Sequence, residues 1–395
     1  MPGRSSPSHL EALRSLGLIA GGVTAGAIGW SGNPLTIPTA MAFPALWAFS
    51  PSRMVAACVS AGYFLAASRG LPQGVTNFYG SQFALGLVLW FAASLAFVAV
   101  HATVWTSING WRRALGYATA ATVMSVPPFG IVGWAHPITA SGILFPGWGW
   151  LGLAAAAFLM LAVTTSRWPI AVALLGAFWA WSATSWVRPN PPEGWVGLDT
   201  RFRGSGGQYA SYAQQVETIA VVKSAAAKGA EVIVLPESAA GLWTATVERL
   251  WARELAGSGV TVILGAAVVD QSGYDNVLMK ISNEGRQILY RERMPVPVSM
   301  WQPWLAWVGQ GSGARAHVFA NPIVDVDGVK IAPLICYEQL IIWPVLQSML
   351  YDPDIIIATG NGWWTDKTRI LNIQTVTAQA WASLFGSPLV MAFNR

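Results

Sequence analysis

Cys336 closes the apolar run "IAPLIC", and Glu338 follows two positions later. The chain holds only one other cysteine, Cys58. A thiol becomes a strong nucleophile once a neighbouring carboxylate takes its proton, and acyl transfer can then run through a thioester. Glu237, which closes "VIVLPE", is the candidate for that carboxylate, and Asn361 closes a third run, "IIIATGN". Taken alone, each has a plainer account. A cysteine at the end of a hydrophobic run is often inert filling, and a glutamate after Leu-Pro can cap the next turn. A nucleophile and a base at equivalent strand ends point instead to one shared site.

The elements that would carry these residues are legible from their periodicity. "WVGLDT", "AEVIVLPES", "VTVILGAAVVD" and "DIIIATG" read as strands. "NVLMKISNEGRQILYRERM" reads as two strands around an Asn-Glu-Gly turn, and "HVFANPIVDVDGVKIAPLICYEQ" as two around Asp-Gly. "QYASYAQQVETIAVVKSAAAKG", "TVERLWARELAGSG", residues 340–350 and residues 368–384 read as helices. Strand and helix in alternation predict α/β layers, whose active residues collect at strand C-terminal ends.

At "VIVLPES", "ILYRERMPVP", "LICYEQ" and "ATGNGWW" the sequence resembles the nitrilase, or carbon-nitrogen hydrolase, superfamily. More narrowly it is similar to the membrane branch, which includes the apolipoprotein N-acyltransferases and the conjugal transfer proteins of the TraB type. The resemblance implies a polytopic helical membrane domain followed by an αββα sandwich, and a Glu-Lys-Cys triad. It also implies transfer of an acyl chain from a membrane phospholipid, through a cysteine thioester, to a lipoprotein N-terminus. No cofactor or metal is called for, and a conjugation-apparatus protein is a further expected partner.

Carried over by position, the resemblance makes Glu237 the base, Cys336 the nucleophile and Glu338 an accessory carboxylate, with Tyr290, Tyr337, Asn361 and Trp363 expected around the substrate. The triad lysine, however, falls on Glu292, and a further carboxylate of the acyltransferases falls at or near Met300. Losing a donor that stabilises a tetrahedral intermediate typically costs about a hundredfold to a thousandfold in rate. A carboxylate in its place adds repulsion, because two acids at one site cannot both ionise easily and would share a proton. Arg291 and Arg293 flank Glu292. Strand alternation puts both on the opposite face, as solvated surface charges, unless a bulge shifts the register and lets Arg293 serve as the substitute cation. The resemblance also implies closing strands and a returning helix after "LVMAFNR", so the chain's end at Arg395 leads us to expect an open sheet edge or a partner that covers it.

Composition sets the surroundings. Hydrophobic residues make up 54% of the 395 and charged residues 10%, against about 25% charged in soluble globular chains. Residues 1–187 hold seven Arg, no Lys and one acid, Glu11, while the polar half is nearly balanced. The pI therefore carries no sign of a nucleic-acid surface, and the near absence of intramembrane charge argues against an ion transporter. Apolar segments at 15–30, 35–50, 53–68, 82–100, 114–134, 143–164 and 168–187 predict about seven membrane helices in a domain over 1–187, with the nitrilase-like domain over 188–395 beginning at "RPNPP". Arg4, Arg14, Arg53, Arg112, Arg113 and Arg167 fall on one side and Arg69 on the other. That bias predicts an inner-membrane protein with a cytoplasmic N-terminus, and an odd number of spans then makes the C-terminal domain periplasmic. The loop "MPVPVSMWQPWLAWVG" reads as a candidate interfacial segment.

Overall fold

The computed structural model describes residues 9–80, 83–202, 212–309, 311 and 313–395. The chain divides into two compact units, one of residues up to Val187 together with Lys367–Gly386, the other of Arg188–Asp366 with Ser387–Arg395.

The first unit contains helices α1 (His9–Gly29), α2 (Phe43–Ala48), α3 (Arg53–Ala67), α4 (Leu71–Tyr79), α5 (Phe83–Val104), α6 (Trp111–Val123), α7 (Ser141–Leu144), α8 (Gly149–Ala162) and α9 (Trp168–Ser185). Where the sequence predicts about seven spans, two helices among the described residues, α1 and α5, are long and apolar enough to cross a membrane. A third span exists if α3 and α4, bent by 50°, are taken as one. Proline accounts for part of the difference. The segment expected over 35–50 opens as a 3-10 helix, Pro34–Ala42, with Pro38 inside it and Pro44 in the first turn of α2; each ring removes a backbone donor and blocks a continuous α-helix. Helices α1 and α3 approach closely through small residues: a Cβ on Gly22 would lie 2.8 Å from the Val59 carbonyl oxygen, and one on Gly26 only 2.2 Å from that of Tyr63. Such spacing is how apolar helices associate where no water drives them together.

The second unit contains two sheets. The first has strands β1 (Trp195–Gly197), β2 (Val232–Val234), β3 (Thr261–Asp270), β4 (Gly273–Ser282) and β5 (Gly285–Arg291) in sequential order; the second has β6 (Val324–Val326), β7 (Val329–Ile335), β8 (Ile355–Asn361) and β9 (Leu389–Asn394), also sequential. The predicted turns fall at Asn283-Glu284-Gly285 and Asp327-Gly328. Helices α10 (Tyr212–Ala226) and α11 (Ala245–Leu255) cover the first sheet through Ile219, Val222, Trp251 and Leu255 against Ile233, Leu235, Val262 and Leu264. The start of the helix expected from "QYAS", residues 208–211, lies outside the described residues. Alternate residues of both sheets, including Val234, Ile263, Leu278 and Tyr290 facing Ile331, Ile335, Ile357 and Val390, form the core between them. Helix α12 (Ile342–Met349) packs on β7. The free side of β9 is partly occupied, since Thr200 donates its N–H to Phe393 O at 3.0 Å and accepts from Arg395 N at 2.8 Å.

Helix α13 (Ile370–Phe385) precedes β9 in the chain but groups with the helical unit. There its backbone touches α7 so closely that a Cβ on Gly142 would sit 1.8 Å from Ala380 O.

Candidate active site

Strand ends bring the predicted residues together. β2 runs out into Leu235-Pro236-Glu237, and the turn that follows lies against the middle of β3: Gly265 N donates to Pro236 O at 3.1 Å, and Ala240 N to Gly265 O at 3.0 Å. Only glycine permits this approach, because a Cβ at position 265 would lie 2.5 Å from Glu237 Cα. At the end of β7, Cys336 takes a left-handed conformation with φ of +47°, uncommon for a residue with a side chain, and begins the 3-10 turn Cys336–Gln339. Gln339, fully buried, donates to Leu334 O and Thr359 O and so ties the ends of β7 and β8.

Glu237 is 4% exposed and its carboxylate interacts with the Cys336 thiol and with the backbone N–H of Asn361. Burial raises it to about 7, against the pull of those donors. Glu292, 1% exposed, joins it: Asn276 Nδ2 donates at 2.8 Å to Glu237 Oε1 and at 2.8 Å to Glu292 Oε2. The remaining oxygens, Oε2 of Glu237 and Oε1 of Glu292, are buried with no hydrogen-bond partner of their own. Burial first, then the charges of Glu237 and Glu338, push Glu292 well above the ordinary glutamate range. Asn276 has no counterpart in the sequence reading. The available signal was its place on β4 beside the strand that carries Glu292, through the bond from Glu292 N to Asn276 O.

Glu338 is fully buried and serves as a knot. It accepts from Ile335 N (2.8 Å), Arg293 N (2.6 Å), Met294 N (3.2 Å) and both ways from the Tyr290 hydroxyl. Burial raises it, with Arg293 and these donors working in the opposite direction. It thereby fastens the segment carrying Glu292 to the turn carrying Cys336.

Arg293 departs from its expected place as a solvated surface charge, because it is fully buried. β5 does bulge, between Ile288 and Tyr290, but it ends at Arg291, so strand alternation no longer governs position 293. Arg291 keeps the outward direction and pairs with Asp275 at 3.0 Å. The Arg293 guanidinium is committed to Tyr290 Oη (2.8 Å), Gln347 Oε1 (3.2 Å), Ser348 Oγ (3.0 Å) and Pro333 O (3.3 Å). Its charge offsets Glu338 at 3.9 Å.

Of the residues expected around substrate, Tyr290 is buried and spent on Glu338 and Arg293. The Asn361 side chain accepts from Asn394 Nδ2 at 2.9 Å, leaving its backbone to face Glu237. Tyr337 and Trp363 are half-buried beside the nucleophile turn and at the end of β8. Among the described residues no cluster of three or more His, Cys, Asp or Glu is arranged to hold a metal ion.

Comparison with known proteins finds relatives in sequence and in fold. The carbon-nitrogen hydrolase family profile matches residues 248–383. The conjugal transfer protein TraB of Agrobacterium fabrum is 56% identical over 99% of this chain and 96% of its own length, and a probable TraB of Sinorhizobium fredii is 54% identical over 94% and 96%. Among solved structures, a cysteine-to-alanine mutant of the Nesterenkonia AN1 amidase from the nitrilase superfamily matches at 14% identity and a TM-score of 0.35, covering 52% of this chain and 78% of that one. The C-terminal half is thus a nitrilase-like α/β domain behind an apolar helical region, and the chain belongs to the TraB family of conjugal transfer proteins within the carbon-nitrogen hydrolase superfamily.

Proposed function

We propose that the protein is a membrane-anchored thiol enzyme that transfers or hydrolyses an acyl group through a thioester on Cys336. The observation that carries this reading is the contact between the Cys336 thiol and the Glu237 carboxylate at adjoining strand ends. Glu237 takes the thiol proton, the thiolate attacks an ester or amide carbonyl, and Glu237 returns the proton to the departing alcohol or amine. An acceptor amine or water then cleaves the thioester, again losing its proton to Glu237, which restores the thiol.

A lipid ester as donor suits a chain with apolar helices of spanning length, and an amine on a lipoprotein or conjugation-apparatus protein suits the acceptor role. The reading places the protein in the inner membrane with a periplasmic C-terminal domain. That orientation requires an odd number of crossings, which counting α3 and α4 as one span would supply. An enzymatic reporter fused after Val187 tests it, since activity confined to a cytoplasmic reporter contradicts the periplasmic placement.

A second reading is favoured by Glu292 at the position where the superfamily resemblance expects lysine: a nitrilase-fold component of the conjugation apparatus that has lost turnover. Labelling of the full-length protein with a thiol-directed acyl probe separates the two. The enzyme reading expects a covalent adduct that disappears in Cys336→Ala; equal labelling of wild type and variant leaves only the noncatalytic reading.

A further inference from the structure

The carboxyl groups of Glu237 and Glu292 hang from the same amide nitrogen. Two oxygens each 2.8 Å from Asn276 Nδ2 are at most twice that distance apart. Both residues are nine-tenths or more buried, and each keeps one oxygen with no hydrogen-bond partner. Two carboxylates so placed cannot both carry charge cheaply.

We propose that the pair holds a single proton, resident on Glu292, so that Glu237 remains the base and Glu292 acts as a neutral acid whose O–H is the donor this chain offers where the superfamily resemblance expects a lysine. The inference rests on Cys336 and Glu237 forming the reactive centre, and it deepens that reading.

The surroundings decide which member is protonated. Glu237 is approached by three donors: the Asn276 amide, the Cys336 thiol and the Asn361 backbone N–H. Glu292 has the Asn276 amide alone. The charged and titratable groups facing the pair are Glu338 and Cys336 from the end of β7 and Tyr274 from β4. The buried cation Arg293 is engaged with Tyr290, Gln347, Ser348 and Pro333, and its charge offsets Glu338. A second negative charge on Glu292 would therefore face Glu237 and Glu338 together.

The arrangement also suits the reaction. When Glu237 receives the thiol proton, both members of the pair are neutral, and neither repels the oxyanion that forms on the substrate. A buried carboxylic acid kept neutral can donate a hydrogen bond to such an oxyanion without giving up its proton.

Infrared spectroscopy of the full-length protein in detergent tests the inference without relying on turnover. Wild type at a pH well above 7, where Glu237 has ionised, is expected to show a carbonyl stretch of a protonated carboxylic acid that Glu292→Gln lacks. Absence of that band in wild type, or its persistence in Glu292→Gln, overturns the assignment. The pH midpoint of Cys336 alkylation by iodoacetamide gives a second readout: a neutral Glu292 predicts the same midpoint in Glu292→Gln, whereas a fall of about one pH unit or more shows that Glu292 had been charged. Should Cys336 resist alkylation while the band behaves as expected, the thiol-enzyme reading fails and the shared proton stands.

Discussion

The Tyr290 hydroxyl lies 2.7 and 2.9 Å from the two oxygens of Glu338 and accepts from Arg293 Nε at 2.8 Å. One phenol thus joins the strand that leads to Glu292 with the turn that carries Cys336. Tyr290→Phe leaves the ring in the core but strands a buried carboxylate and a guanidinium N–H. The expected loss is about 1–3 kcal/mol of stability, read by denaturant unfolding of the full chain, together with slower alkylation of Cys336.

Arg293 and Glu338 are both fully buried. Arg293→Met is expected to cost about 3–5 kcal/mol, because a buried charge loses its partner. Arg293→Lys should recover little of that, since one ammonium cannot reproduce bonds to Tyr290, Gln347, Ser348 and Pro333. Thermal unfolding of the two variants checks the ranking; a lysine variant as stable as wild type would mean that charge alone matters there.

Gly265→Ala puts a methyl group 2.5 Å from both Glu237 Cα and Ser238 N. Backbone cannot yield as a flexible side chain can, so the turn must move. We expect a loss of about 1–3 kcal/mol from overpacking and a fall in Cys336 alkylation at neutral pH of about tenfold or more, as the base leaves the thiol.

Protonation should couple to stability with a definite sign. Burial raises Glu237 from the ordinary 4.5 to about 7, so across that window the folded chain binds more protons than the unfolded one. The contribution is fully present below 4.5 and is lost as the pH rises through about 7, so stability should fall with rising pH over this range. Glu237→Gln should flatten the slope. Denaturation midpoints measured at several pH values decide it, and a slope unchanged by the substitution would remove Glu237 as its source. Alkylation runs the other way, rising as Glu237 ionises and becomes able to take the thiol proton.

How much of this was legible beforehand varies with the range of the interaction. The strands that lead to Glu237, Cys336 and Asn361 are readable because local hydrophobic runs and turn residues specify them. The pairing of Glu237 with Glu292 was half legible: the exchange of lysine for glutamate is visible in "YRERM", but the shared Asn276 belongs to a neighbouring strand, and register across a bulge is not written in either segment alone. Arg293 escapes strand alternation because β5 ends two residues before it, at Arg291, and no local pattern in "YRERM" marks that end. In the apolar half, hydropathy located the segments, but it did not weigh the prolines that cut helices between Pro34 and Ala48.

Helix α13 has one more implication. Because it packs at Gly142, Gly32 and Gly70 of the helical unit while the strand right after it completes the second sheet, the polypeptide leaves the sandwich and re-enters it before finishing. Excising residues 188–395 as a stand-alone fragment would strip α13 of its bed and leave β9 tethered to an unhoused apolar rod. The helix and the strand that follows it are therefore housed by different units, and a cut at residue 188 does not separate the two cleanly.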